Sequence, residues 1–176
     1  MSTEEATTAG PEPGQFAGSS GLRRFKRAFH ATRPKFFPAS GLRVLAGSAW
    51  GFQASGRFDW VVFALALIAT VAVHGASNVL NDVGDDAGGT DRQNDDRIYP
   101  YTGGSRFIQS GIMTAQEMAR LCISLLAAAA IAGLVLILLK GASFLYFGLA
   151  GVAVCVFYSL WPVRRVSTMW WAVRPC

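Results

Sequence analysis

The sequence predicts an all-α membrane protein, a multi-spanning bundle of about four transmembrane helices. Charged residues make up only 15% of the 176 residues, against about 25% in a typical soluble domain. Mean hydropathy is +0.33, and three long stretches contain no Asp, Glu, Lys or Arg. A buried cluster of helices in a soluble protein is the alternative. It is disfavoured because one short chain can hardly cover three such stretches.

Each uncharged stretch is long enough for a helix to cross about 30 Å of hydrocarbon. The stretches are Trp60 to Asn81 with 22 residues, Leu121 to Leu139 with 19 residues, and Gly141 to Val163 with 23 residues. A further span is predicted from about Phe36 to about Gln53, interrupted by Arg43. An arginine at that depth must reach the interface, face the bundle or meet an anionic ligand.

The ends of the chain differ in composition from this membrane domain, which we assign to residues 23–165. Residues 1–22 are rich in Gly, Pro, Ser and Thr and lack the apolar core of a secretory signal, which predicts a disordered tail. Residues 166–176 form a divergent C-terminal tail.

Basic residues gather in the segments that four spans would place on one side of the membrane. They include the run from Arg23 to Lys35, which directly precedes the first predicted span. The positive-inside rule predicts a multi-pass protein, in the cell membrane if bacterial, whose N-terminus and aspartate-rich loop are cytoplasmic. This distribution also accounts for much of the net charge of +5, so we expect no nucleic-acid partner.

The densest group of carboxylates follows the second span. Six aspartates fall within 15 residues: Asp82, Asp85, Asp86, Asp91, Asp95 and Asp96. An acidic loop is usually just solvated, but this one begins inside the end of a membrane helix, where carboxylates are costly and usually functional. If the helix continues through residue 86 at about 100° per residue, one face carries Asn78, Asn81, Asp82, Asp85 and Asp86.

Carboxylates that share one face repel each other unless a cation neutralises them. Their oxygen atoms suit a hard divalent ion, and Mg²⁺ fits best when substrate phosphates complete its shell. Calcium is an alternative, although the EF-hand pattern is absent, and the sequence contains neither a Walker P-loop nor paired cysteines for zinc. The spacing therefore predicts a site for a metal and a diphosphate.

Several motifs between residues 30 and 160 resemble the UbiA superfamily of membrane prenyltransferases. Within it they are most similar to the 1,4-dihydroxy-2-naphthoate polyprenyltransferases of menaquinone biosynthesis. The matching stretches are Asn78-Val-Leu-Asn81-Asp82-Val-Gly-Asp85 with Gly89-Thr-Asp91, Tyr101-Thr-Gly-Gly-Ser-Arg106 with Ile108-Gln-Ser-Gly111, Arg33-Pro-Lys-Phe-Phe-Pro-Ala-Ser40, and Tyr158-Ser159.

The resemblance implies the N-terminal part of a UbiA-type helical bundle with Mg²⁺ as cofactor. Asp82 and Asp85 match positions that hold Mg²⁺ against an isoprenyl diphosphate, and Asp86 offers a third metal ligand. Asn78 and Asn81 match the polar residues that support this motif. We expect Asn78 to act with the catalytic aspartates and Asn81 to bind substrate. Further charge stabilisation of the diphosphate is expected from four basic residues: Arg33, Lys35, Arg43 and Arg106.

The implied function is transfer of an isoprenyl chain from an allylic diphosphate to an aromatic quinone precursor. The first candidate for this acceptor is 1,4-dihydroxy-2-naphthoate. Other acceptors remain open, namely homogentisate, 4-hydroxybenzoate, a chlorophyllide or a sugar phosphate, as does a non-catalytic membrane remnant. Family members are longer and carry a second aspartate motif that these residues lack. We therefore expect no turnover by this polypeptide alone, with a separately encoded C-terminal half as a partner that could restore it.

Overall fold

The chain folds into helices that pack side by side. The computed structural model describes residues 13–88 and 105–159, and no strand occurs within those two ranges. The helices in them are α1 (Gly21–Ala31), α2 (Phe37–Ser55), α3 (Trp60–Gly88), α4 (Ala115–Lys140) and α5 (Ser143–Ser159). The predicted all-α fold is therefore confirmed.

Two of these helices are long and apolar enough to cross a membrane. They are the Trp60–Ala87 part of α3 and the whole of α4. Helix α2 covers the predicted span that contains Arg43, and α5 covers the described part of the last uncharged stretch. Many large apolar side chains on these helices are exposed, among them Trp50 and Phe147. Such surfaces suit lipid far better than water.

Helix α3 is the centre of the fold, and its closest neighbour is α4. Ala76 and Val79 of α3 are fully buried against Met118 and Cys122 of α4. The small Ala76 side chain lets the two backbones approach, and the Cys122 thiol donates to the Ala76 carbonyl oxygen at 3.6 Å. This packing fixes the rotation of α3 about its axis, and thereby the direction in which its polar face points.

Helix α3 has polar residues at both of its ends, the aspartate-rich C-terminal end and Asp59 at the N-terminal end. At the start of α3, Asp59 accepts hydrogen bonds from the N–H groups of Val61 and Val62, both at 3.1 Å. Its carboxylate also pairs with Lys140 at the end of α4, with an N–O distance of 2.9 Å. Helices α3 and α4 are thus antiparallel, and Asp82 lies far from this ion pair.

The segment before α1 packs onto the helices. Pro13–Phe16 forms a 3-10 turn, and Phe16 is buried. Its ring meets the edge of Phe107, with ring centroids 5.1 Å apart. Residues 13–22, which the composition assigned to a tail, therefore contribute a core contact, while residues 1–12 lie outside the described part. Burial of one large aromatic ring is enough to hold so short a segment.

Candidate functional site

Asp82 is the centre of a buried polar cluster at the end of α3. Its carboxylate forms an ion pair with the Arg33 guanidinium and accepts a hydrogen bond from the Ser105 hydroxyl. The backbone N–H of Ser105 adds contacts of 3.2 and 3.3 Å to the two carboxylate oxygens. Asp82 is only 2% exposed. A charge so deeply buried is tolerated because a cation and several donors surround it.

Two arginines beside this carboxylate adopt left-handed backbone conformations. The φ angle is 55° at Arg33 and 54° at Arg106. This region costs a residue with a side chain on the order of 1–3 kcal/mol and persists where surrounding contacts enforce it. The contacts here are those that Arg33 and Ser105 make with Asp82. The left-handed turns are thus at Arg33, which pairs with the buried carboxylate, and at Arg106, directly after Ser105, which donates to it.

Asn78 lies one turn before Asp82 and ties the same neighbouring segment to α3. Its side-chain amide donates to the carbonyl oxygen of Thr32 at 2.9 Å. Thr32 directly precedes Arg33, so two consecutive residues at the end of α1 are fastened to two successive turns of α3. Asn78, Asp82 and Arg33, all predicted as site residues, are thus brought together.

Asn81 and Asp85 form a second group on the same face of α3. The Asn81 amide donates to the Asp85 carboxylate at 3.0 Å. Asp85 is buried, and the half-buried Asp86 accepts a hydrogen bond of 3.4 Å from the side chain of Gln109. The side chains expected to form one continuous polar face therefore contact different partners.

The chemistry of this second group fits Mg²⁺. Carboxylate oxygens of Asp85 and Asp86 are ligands that this ion accepts, and one or two carboxylates usually suffice when substrate phosphates and water fill the other positions. Within residues 13–88 and 105–159, no three His, Cys, Asp or Glu side chains surround a common point. Asp82 already holds Arg33 and Ser105, so a role as metal ligand requires those partners to move. Asp91, Asp95 and Asp96 lie outside the described ranges.

The four predicted basic residues differ in where they lie. Arg33 is half-buried and pairs with Asp82, and Arg106 is half-buried and directly follows Ser105 in the chain. Lys35 is exposed, its ammonium lies 5.7 Å from the centre of the Phe36 ring, and partial burial together with the Arg33 charge lowers its pKa. Arg43 lies on the exposed side of α2. The structure therefore brings one of the four, Arg33, to the Asp82 carboxylate, and Arg106 directly follows a residue that donates to that carboxylate.

Ser105, Gln109 and the carbonyl of Thr32 are site groups that were not singled out from the sequence. Ser105 ends the Thr-Gly-Gly-Ser stretch and Gln109 belongs to the following Gln-Ser-Gly stretch, so motif membership was the available signal. A backbone carbonyl such as that of Thr32 carries no sequence signal. Nearby, the Nδ1 atom of His74 lies 2.7 Å from the Ser40 hydroxyl, the arrangement of a bundle histidine with a satisfied ring nitrogen.

Known proteins resemble this chain over part of their length. Residues 43–173 match the UbiA prenyltransferase family. The chain is 34% identical over 116 residues to 1,4-dihydroxy-2-naphthoate octaprenyltransferase of Escherichia coli, covering 66% of this chain and 35% of that protein. It is 33% identical over 96 residues to the protein of the same name in Haemophilus influenzae, covering 54% and 29%.

A vertebrate relative matches over a shorter range. UbiA prenyltransferase domain-containing protein 1 of Xenopus tropicalis is 38% identical over 68 residues, 38% of this chain and 20% of that protein. No solved structure matches the chain. The chain spans about a third of the length of the bacterial relatives. Because the family match extends over most of its residues, the chain belongs to the UbiA prenyltransferase family, whose members are integral to the membrane.

Proposed function

We propose that this chain forms the diphosphate-binding part of a membrane prenyltransferase. The reaction is transfer of an isoprenyl chain from an allylic diphosphate to an aromatic ring, with departure of the diphosphate. The observation that carries the proposal is the pairing of Asn81 with Asp85 beside the buried Arg33–Asp82 ion pair. Oxygen ligands and guanidinium groups thus meet at one end of a membrane-length helix.

Each side chain has a distinct part in the proposed reaction. Bound Mg²⁺ would supply Lewis-acid stabilisation of charge on the departing diphosphate. Asp85 and Asp86 offer the carboxylate oxygens for it, and the Asn81 amide orients the carboxylate of Asp85. Asp82 is a positioning residue, because it holds the guanidinium of Arg33 and the turn that carries Arg106. Those two arginines place further positive charge at the same end of the bundle.

The acceptor that we propose is 1,4-dihydroxy-2-naphthoate, supported by the names of the two bacterial relatives. Homogentisate, 4-hydroxybenzoate, a chlorophyllide or a sugar phosphate are the alternatives. We place the aspartate-rich end in the cytoplasm, because the basic helix α1 lies at that end of α3 through the contacts of Thr32 and Arg33.

Ligand binding to the purified chain in detergent tests the proposal without requiring turnover. We expect geranylgeranyl diphosphate to bind in the presence of Mg²⁺ and to be lost with EDTA. Asp85→Asn should weaken binding by about tenfold or more, corresponding to about 1.4 kcal/mol. The matched control is Asp59→Asn, which removes a carboxylate at the opposite end of α3 and should leave binding unchanged.

The same measurement separates the enzyme from a non-catalytic cation-binding protein. An enzyme site binds Mg²⁺ more tightly when the isoprenyl diphosphate is present, because the phosphate oxygens complete the metal shell. Mg²⁺ binding that is indifferent to the diphosphate would favour the non-catalytic alternative. Equal diphosphate affinities of the original chain and Asp85→Asn would contradict the proposed site.

A further inference from the structure

Helix α1 carries an exposed apolar row that no described residue covers. Leu22, Phe25 and Phe29 are 79%, 67% and 46% exposed. They follow each other at intervals of three and four residues, so they lie on one side of the helix. The phenyl rings of Phe25 and Phe29 stack on one another, with centroids 6.1 Å apart. Three large apolar side chains in water on one short helix need a covering partner.

The opposite side of α1 is basic. The helix contains Arg23, Arg24, Lys26 and Arg27 and no acidic residue. At about 100° per residue, Arg23 and Arg27 project roughly away from the Leu22–Phe29 row. The side that packs on the protein is marked instead by the buried Ala31 and the half-buried Ala28. Arg23 and Arg24 are exposed, whereas Arg27 is half-buried near Glu117 of α4. The apolar row and the two exposed arginines are therefore directed outward, on different sides.

The apolar row continues into surface that belongs to the membrane-spanning helices. Phe25 and Phe29 form one wall of a cavity of about 580 Å³, and its other walls include Leu67, Val71 and Leu125. These last residues lie within the membrane-length helices α3 and α4. Because the cavity is open and its lining is almost wholly apolar, the surface beneath α1 is continuous with the surface that faces hydrocarbon.

We propose that α1 lies flat in the membrane interface and binds anionic phospholipid. Leu22, Phe25 and Phe29 enter the acyl region, and an acyl chain occupies the cavity beneath them. Arg23 and Arg24 contact the headgroup phosphates, as basic amphipathic helices do on anionic leaflets. Charge decides in favour of an anionic lipid over a second apolar protein surface, because α1 contains four cations and no acidic residue, and Glu117 of α4 faces just one of them, Arg27. This proposal rests on family membership and not on prenyl transfer.

Spin-label depth measurements on the full chain in vesicles test this proposal. A nitroxide is attached through Phe25→Cys, or through Arg24→Cys as the matched control, after the native cysteines are changed to alanine. Vesicles contain phosphatidylcholine alone or phosphatidylcholine mixed with phosphatidylglycerol. In the mixed vesicles, we expect the label at position 25 to be accessible to oxygen several-fold more than to a water-soluble nickel chelate. The label at position 24 should show the reverse preference.

The anionic lipid must matter for the proposal to stand. We expect the oxygen preference at position 25 to fall in pure phosphatidylcholine, and the lipid difference to vanish in the charge-reversed variant Arg23→Glu, Arg24→Glu. Circular dichroism checks that each variant keeps its helix content. Equal depth in both lipids, or nickel access at position 25, would overturn the proposal. Shielding from both reagents would also overturn it, since that result means a protein segment or a second copy covers the row.

Discussion

Replacing Arg33 with methionine tests whether the buried ion pair holds the site together. Met keeps most of the side-chain length and removes the charge, so Asp82 stays 2% exposed without its cation. Breaking a buried pair from one side costs about 3–5 kcal/mol. The Arg33 side chain is 17% exposed, and Ser105 still donates to the carboxylate in the variant. The loss of stability should therefore lie at the lower end of that range. We expect the free energy of unfolding to fall by about 3 kcal/mol.

A double-mutant cycle separates this interaction from other effects of the substitution. Asp82→Asn alone leaves Arg33 without its anion and should cost about 2 kcal/mol, because part of the guanidinium reaches solvent. The double variant removes both charges, so its cost should be less than the sum by about 2 kcal/mol. Unfolding in mixed micelles at increasing fractions of denaturing detergent, followed by circular dichroism, gives these values.

Arg57→Met is the control, because Arg57 is exposed in the loop at the opposite end of the bundle. We expect it to change the free energy of unfolding by less than about 0.5 kcal/mol. The reasoning would be refuted if Arg33→Met cost no more than Arg57→Met, or if the two single substitutions at the ion pair were additive.

Three smaller predictions concern packing, capping and pH. Gly75→Val should lower the free energy of unfolding by about 2 kcal/mol, because overpacking costs about 1–3 kcal/mol and a Cβ added at Gly75 lies 3.2 Å from the Thr32 side chain at the end of α1. Gly133→Val is the control, because a Cβ added there meets nothing within 4 Å. Thr114→Ala removes the side-chain cap of α4 and should cost about 1 kcal/mol, measured in the same unfolding assay. The hydrogen bond from Lys140 lowers the pKa of Asp59. The stabilisation that Asp59 provides should therefore be present above about pH 4 and disappear as the pH falls through the lowered pKa. The melting temperatures of the original chain and of Asp59→Asn should converge over that range.

The sequence predicted the helices well, and it predicted the composition of the site better than its geometry. Long uncharged stretches can form little other than helices in lipid, since every backbone group must be paired within the segment. The uncharged stretches predicted α3 and α4, and the polar face was expected on the supposition that α3 continues into the aspartates, as it does through Gly88. It did not predict α1 as a separate helix with its own exposed apolar row.

The partners of the Asp82 carboxylate could be identified only from the tertiary structure. Helical periodicity places Asn78, Asp82 and Asp85 on one face, but it does not say which neighbour each side chain meets. Arg33 is 49 residues from Asp82 and Ser105 is 23 residues away. Such contacts depend on how the end of α1 and the segment before α4 fold over α3. A charge pattern alone therefore does not distinguish a carboxylate that is enclosed by an arginine and a serine, such as Asp82, from one that pairs within its own helix, such as Asp85.

Local chemistry by itself predicted the fold class, the apolar stretches that form the two membrane-length helices and the cluster of carboxylate and amide side chains at the end of one of them. Periodicity and hydropathy act along the chain, so they can be read from it residue by residue. Only the packing of helices decided that Asp82 is enclosed by Arg33 and Ser105, whereas the contact of Asn81 with Asp85, four residues further on, lies within α3 itself. Burial and pairing of a charge depend on distant segments, because both arise from what surrounds a side chain in space.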